Sequence, residues 1–202
     1  FNSNQRRNIR RERKAMERQE IELKVLTGDQ IPQAYIALMY EYYTRTNDKF
    51  GPWGCQYLNY SFFEGLYHHY RHRLVMVAAF DRHDRNGSPV GMSFLVTKGH
   101  KLYGRYWGCS KTTNSLHFNA CYYRPIEWAI SNGIKTFDPG AGGPHKLRRG
   151  FSAVPNFSLH RFADPRLRKI MQTHIEEINR LQQAQIDALN QELPFAVSNH
   201  RH

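Results

Sequence analysis

Residues 74–109 read LVMVAAFDRHDRNGSPVGMSFLVTKGHKLYGRYWGC. LVMVAAF at 74–80 is a continuous apolar run, the pattern of a central strand covered on both faces. PVGMSFLVTK at 89–98 and KLYGRYWGC at 101–109 read as the next two strands. DRHDRNGS at 81–88 and Gly99-His100 supply the turns. Turns this short join antiparallel strands, since a parallel connection needs a crossover of about a dozen residues.

Upstream, IELKVLT at 21–27 alternates like a half-buried strand. Gly28 breaks it, and Asp29 is the expected N-cap of a helix with a stripe of Ile31, Ala34, Tyr35, Leu38, Met39 and Tyr42. FGPWG at 50–54 is a turn, and a second helix is expected over 55–71, with Leu58, Phe62, Leu66 and His69 on one face. Residues 4–19 suit a helix that is mostly solvated or lies against something anionic. Seven of its residues are basic (Arg6, Arg7, Arg10, Arg11, Arg13, Lys14, Arg18) and only Ile9, Ala15 and Met16 are apolar.

Downstream, the polar loop SKTTNS (110–115) leads into a helix over 118–132, where Pro125 either kinks the helix or marks its true start. Asn132-Gly133 stops that helix, and IKTFD at 134–138 is a short strand opening into the loop PGAGGPHKLRRG, 139–150. FSAVPNFSLHRF at 151–162 alternates as a last strand, with Pro155 placing it at an edge or bulge. Asp164-Pro165 starts a helix to about 191, striped by Leu167, Ile170, Met171, His174, Ile178 and Leu181, and the tail 194–202 is expected to fray. The pattern is α/β (α+β) with a mixed, mainly antiparallel sheet, and it lacks the strict alternation of a doubly wound fold. It divides into a basic N-terminal helix or linker (1–20), a main domain (21–163) and a long C-terminal helix and tail (164–202).

The chain's 202 residues suffice for one good-sized domain. It begins at Phe1, which reads as a processed or excised piece, or as a chain with further disordered residues ahead of it. A net charge of +12 favours anionic partners such as nucleic acid, phosphorylated cofactors or lipid; the plainer reading is solubility. Cys55, Cys109 and Cys121 form no disulfide framework and no metal signature, so reduced thiols and a cytoplasmic location are expected. No apolar run is long enough to span a bilayer, and the arginine-rich start has no apolar segment of a secretory signal behind it. His68, His69 and His72 lack a carboxylate at ligand spacing, so no metal is expected there.

The order of one strand, two helices, three antiparallel strands, a helix and a strand is similar to that of the GNAT N-acyltransferases. Three blocks sharpen the likeness: LYGRYWG at 102–108, LHFNACYYRPIEWAI at 116–130 and FDPGAGGPHKLRRGF at 137–151. In this order they resemble the FemAB-like N-acyltransferases. NIRRERKAM at 8–16 resembles that family's entry into its last domain, and Ser158 with His160 its closing Ser-x-His. Two departures stand out. Asn119 occupies a place where many members carry Glu, and Gly140-Ala141-Gly142-Gly143-Pro144-His145-Lys146 replaces a Gly-Ala-Gln-Gly-Glu-His-Lys run. The resemblance implies acyl or aminoacyl transfer to an amine acceptor, with acyl-CoA or aminoacyl-tRNA as donor, a link to cell-wall precursors, and a second GNAT-like domain in larger members.

Glycines in the 138–150 loop let backbone N–H groups approach an anion, and its cations fix the charge. Gly140, Gly142, Gly143, Lys146, Arg148 and Arg149 are therefore phosphate-binding candidates; the alternative is a turn with solvated cations. Arg105 and Tyr106 stand where coenzyme A enzymes of this order carry their pyrophosphate run; the alternative is a strand end whose aromatics fill core. Direct transfer needs a base, oxyanion donors and juxtaposed substrates, with no covalent intermediate. Base candidates are His145, Asp138, His117 and Glu127. Asp138 either orients His145 or caps the turn, Glu127 is also placed for a salt bridge, and His117 for a core position. Two other readings stay open. One is a non-catalytic module binding an anionic ligand such as tRNA or a cell-wall precursor. The other pairs helices 4–19 and 164–191 for interaction or for a homodimer. The aromatics are expected to be mostly buried, leaving no stacking platform for single strands.

Overall fold

The computed structural model describes residues 1–54, 56–84 and 86–195. Part of the 81–88 turn and most of the 194–202 tail, where fraying is expected, lie outside those residues. Two compact units emerge: Arg7–Ala141, and Phe1–Arg6 together with the chain from Gly142 onward.

The larger unit is a five-stranded sheet in sequence order, β1 (Ile21–Thr27), β2 (Leu74–Asp81), β3 (Gly91–Lys98), β4 (Lys101–Cys109) and β5 (Thr136–Asp138). The first four strands are antiparallel neighbours, and β5 lies parallel to β4. Even-numbered residues of β2 (Leu74, Met76, Ala78) join a core with Ile36, Met39, Tyr42 and Tyr43 of α2 (Ala34–Asp48) and Phe63 of α3 (Tyr60–Tyr70). Odd-numbered Val75 and Val77 meet Ala120 and Ala129 on the opposite face. Cover on both faces is why this strand reads as an unbroken apolar run.

Asp29 caps no helix. Gly28–Gln30 forms a 3-10 turn boxed by Thr27 and Gln30, and the Asp29 carboxylate instead pairs with Arg71. The second helix begins at Tyr60 and not near 55. Asn59 is its cap, accepting from Phe62 N at 3.1 Å, and Phe63 rather than Phe62 is buried.

The basic helix α1 (Ser3–Arg18) is seated through part of its length. In the larger unit Ala15 and Met16 are buried against Ile21, Ala79, Val90 and Leu116. The Glu12 carboxylate accepts from the Tyr123 hydroxyl, its main-chain oxygen accepts from Asn119 Nδ2 at 3.0 Å, and Arg13 pairs with Glu127.

The region expected as one helix over 118–132 is three pieces: α4 (Leu116–Phe118), a π-turn (Asn119–Tyr123) and α5 (Arg124–Ser131). Pro125 explains the break. Its ring would strike the carbonyl four residues back in an α-helix, and the wider turn relieves this. In π geometry the Ala120 carbonyl would accept from residue 125, which as proline has no N–H. The buried Ser93 hydroxyl donates to that carbonyl instead, at 2.7 Å.

In the second unit, no strand forms at 151–162 among the described residues. A strand needs a neighbour for its ladder; here Phe157 and Leu159 are fully exposed, and Ala153 is held by side-chain bonds to Asn190. Helix α6 (Pro165–Gln191) forms as expected, capped by Asp164, whose carboxylate accepts from Arg166 N at 2.8 Å. Its apolar stripe is not buried: Leu167, Ile170, Ile178 and Leu181 are all exposed.

Candidate functional site

Strand β4 sets the geometry of the larger unit's site. Leu102 packs on the α5 face, and Gly104 turns toward Phe137 and Pro139, where an added Cβ would sit 3.5 Å from each. On the β3 side Leu95 faces Gly104 while Phe94 faces Tyr106. Arg105 is therefore the extra residue of a β-bulge, and the alternation inverts across it. Tyr106 joins the opposite core, 4.9 Å from the Tyr43 ring, and Trp107 returns to the α4 side. Arg105 itself is exposed.

On its other side β4 pairs with β5 only through Lys101, Leu102 and Tyr103. From Gly104 to Cys109 no strand lies along that edge among the described residues. The bulge thus stands where the two parallel strands part. Gly108 lies so close to α2 that a Cβ there would be 2.3 Å from the Tyr42 carbonyl oxygen, and Thr46 Oγ1 donates to the Trp107 carbonyl at 2.9 Å. The C-terminal end of α2 is thereby fixed to the same end of β4.

His117 is half-buried beside Trp107 of this strand. Its ring lies 5.4 Å from Trp107, 5.4 Å from Phe118 and 5.5 Å from Tyr122, between centroids. Asp138 caps its own turn, accepting from Gly140 N at 2.8 Å. Glu127 is held between Arg13 and Arg124. Asn119 is buried and donates to the Glu12 and Ser115 carbonyls, so the amide that stands in place of a family carboxylate is committed to structure. Burial raises the Tyr106 hydroxyl and the Cys109 thiol above their usual ranges. Cys109 is therefore a protonated thiol at neutral pH, a poor nucleophile.

The remaining sequence candidates belong to the second unit. Gly142 and Gly143 adopt positive φ, and a Cβ at Gly143 would come 2.5 Å from the His145 ring. His145 is held below its ordinary pKa, first by burial and then by the positive charges of Lys146 and Arg149. Arg149 is buried and donates to the His145 carbonyl at 2.9 Å. Lys146 is half-buried and Arg148 is exposed. The division between units falls inside the glycine loop. Asp138 and Gly140 thus belong with Arg105 and His117, and His145 with Lys146, Arg148 and Arg149.

Two features escape a reading by composition. The bulge leaves one trace, a slip in alternation between Leu102 and Tyr106. The loop between α2 and α3 carries Phe50, Trp53 and Tyr57 with 62%, 88% and 84% of their surfaces exposed, against the expectation that the aromatics are mostly buried. Its visible signal was the absence of any charged residue from Phe50 to Phe63. Among the described residues, no helix is long and apolar enough to cross a membrane.

Comparison with known proteins adds the following. A model of the FemAB-like family, described as peptidoglycan biosynthesis/recognition, matches residues 1–197. No curated protein matches. Similar solved structures include L-PGS from Bacillus licheniformis, at 11% identity and a TM-score of 0.49 over 76% of this chain and 49% of that one. A conserved protein of unknown function from Bacteroides thetaiotaomicron gives 18% and 0.46 over 73% and 48%. An aminoglycoside acetyltransferase from an uncultured soil metagenomic sample gives 13% and 0.43 over 71% and 97%. The chain thus spans about half the length of the first two. With the match to its family model running through nearly all of its length, the chain belongs to the FemAB-like family.

Proposed function

We propose that the chain is an N-acyltransferase, moving an acyl or aminoacyl group from a thioester or ester donor to an amine of a peptidoglycan-related acceptor. The observation that carries this is the β-bulge at Arg105 beside the parting of β4 and β5. A bulge releases a backbone group from the ladder, and a fixed backbone N–H in a cleft is the donor a developing oxyanion needs. In this reading the donor's carbonyl lies along the free edge of β4. Arg105 neutralises an anionic part of the donor, and His117, beside the Trp107 ring, takes the proton from the attacking amine and passes it to the departing thiolate or ribose oxygen. The protonated Cys109 accords with direct attack, without a covalent enzyme intermediate. Separately, the cations Lys146, Arg148 and Arg149 of the second unit suit an anionic ligand there.

A second reading, a non-catalytic module for an anionic ligand, is favoured by Asn119 and Asp138, which are committed to structural hydrogen bonds. The experiment separating the two incubates the chain with acetyl-CoA or aminoacyl-tRNA and a muropeptide bearing a free amine, and reads amide product by mass spectrometry. Product from either donor supports transfer. Saturable donor binding without product supports the module.

A further inference from the structure

The loop joining α2 and α3 holds three aromatic side chains outward on a tied backbone. Gly51 takes a positive φ, and Gly54 N donates to the Gly51 carbonyl at 2.9 Å. Gly54 is pressed on the last turn of α2, where a Cβ would be 2.3 Å from the Asn47 carbonyl oxygen. Gln56 Nε2 donates to the Tyr40 hydroxyl at 3.2 Å, and Leu58 N to the Tyr43 hydroxyl at 3.3 Å. The loop is thus anchored to α2 at Gly54, Gln56 and Leu58, while Trp53 and Tyr57 keep over four-fifths of their surface in solvent. Three exposed aromatic side chains within eight residues of one loop point to a recognition surface.

The chemistry of the surroundings selects the ligand. A nucleic acid stacked on aromatics brings phosphates, and surfaces that bind it interleave cations with the rings. From Phe50 to Phe63 there is no charged side chain. The polar groups interspersed there are the uncharged Gln56, Asn59 and Ser61. Flat electron-rich ring faces with neutral hydrogen-bonding groups complement a pyranose, whose C–H face carries partial positive charge and whose rim carries hydroxyls. We propose that Phe50, Trp53 and Tyr57 form a stacking platform for a neutral saccharide, independent of the transfer reaction. Because the end of α2 is bonded to the end of β4, a glycan held there lies next to the strand edge assigned to acyl transfer.

The test is calorimetric titration of the whole chain with the β-1,4-linked N-acetylglucosamine tetramer, in the absence of any acyl donor. Saturable binding is expected, weakened at least tenfold in Trp53→Ala and in Tyr57→Ala and largely retained in Trp53→Phe. Thermal midpoints should change by only about a degree or two, since both side chains are more than four-fifths exposed. No saturable binding, or equal affinity in Trp53→Ala, overturns the proposal. So does a single-stranded uridine octamer that displaces the saccharide through Trp53, or a loss of self-association in Trp53→Ala in place of any saccharide effect. A chain that binds saccharide and transfers nothing refutes the transferase reading alone; one that transfers but binds no saccharide refutes the platform alone.

Discussion

His145 and Gly108 show how single residues answer to their surroundings. His145 has a folded pKa below its unfolded value, because burial and two neighbouring cations disfavour its charged form. The unfolded chain therefore binds the extra proton first. The stability this histidine contributes is present above the unfolded value and is lost as the pH falls through that value toward the folded one. An NMR titration of its ring should show a midpoint below 6.5, and His145→Gln should flatten the fall in stability over that window. Gly108→Ala drives a methyl into the main chain of α2, which cannot swing aside as a side chain would. A loss of about 2–3 kcal/mol or more is expected in chemical denaturation. At this scale the sequence named residues better than it named roles. Asp138, Glu127 and Asn119 were visible as polar groups at motif positions. What engages each is a backbone N–H two residues on, or partners on α1 and a neighbouring turn, and spacing alone does not reveal those.

Elements were legible where the period was strong and where both neighbours were local. Strands β1 and β4 fall where alternation and turns place them, at 21–27 and 101–109. The failures share a cause, dependence on a distant partner. Alternation at 151–162 is a strand's pattern, but a ladder needs a second strand, and none is there among the described residues. The basic α1 reads as solvated because seven cations outweigh three apolar residues, yet Ala15, Met16 and Glu12 suffice to seat it. Met16→Ala should lower stability by about 2–3 kcal/mol through the cavity it leaves. Tyr123→Phe, which removes a charge-assisted hydrogen bond to Glu12, should cost about 1.5–3 kcal/mol. Arg11→Ala, on the exposed face of the same helix, should stay within about 0.5 kcal/mol. Equilibrium urea denaturation of the three variants separates these values.

For the whole molecule, the mixed sheet and the family were both within reach of the sequence, because three motif blocks in register carry information about fold and lineage together. Charge did not have that reach. A balance of +12 describes the field of the chain, and a field has no address. The free edge of β4 does have one, since it is created by a bulge and by a partner strand only three residues long. The proposed acyl transfer along that edge is tested by comparing kcat/KM for amide formation in the wild-type chain and in His117→Gln, with thermal unfolding as the check on fold. A loss of at least about 100-fold at an unchanged thermal midpoint is the predicted result. Undiminished transfer in a folded His117→Gln chain would contradict the claim and move the chemistry away from β4.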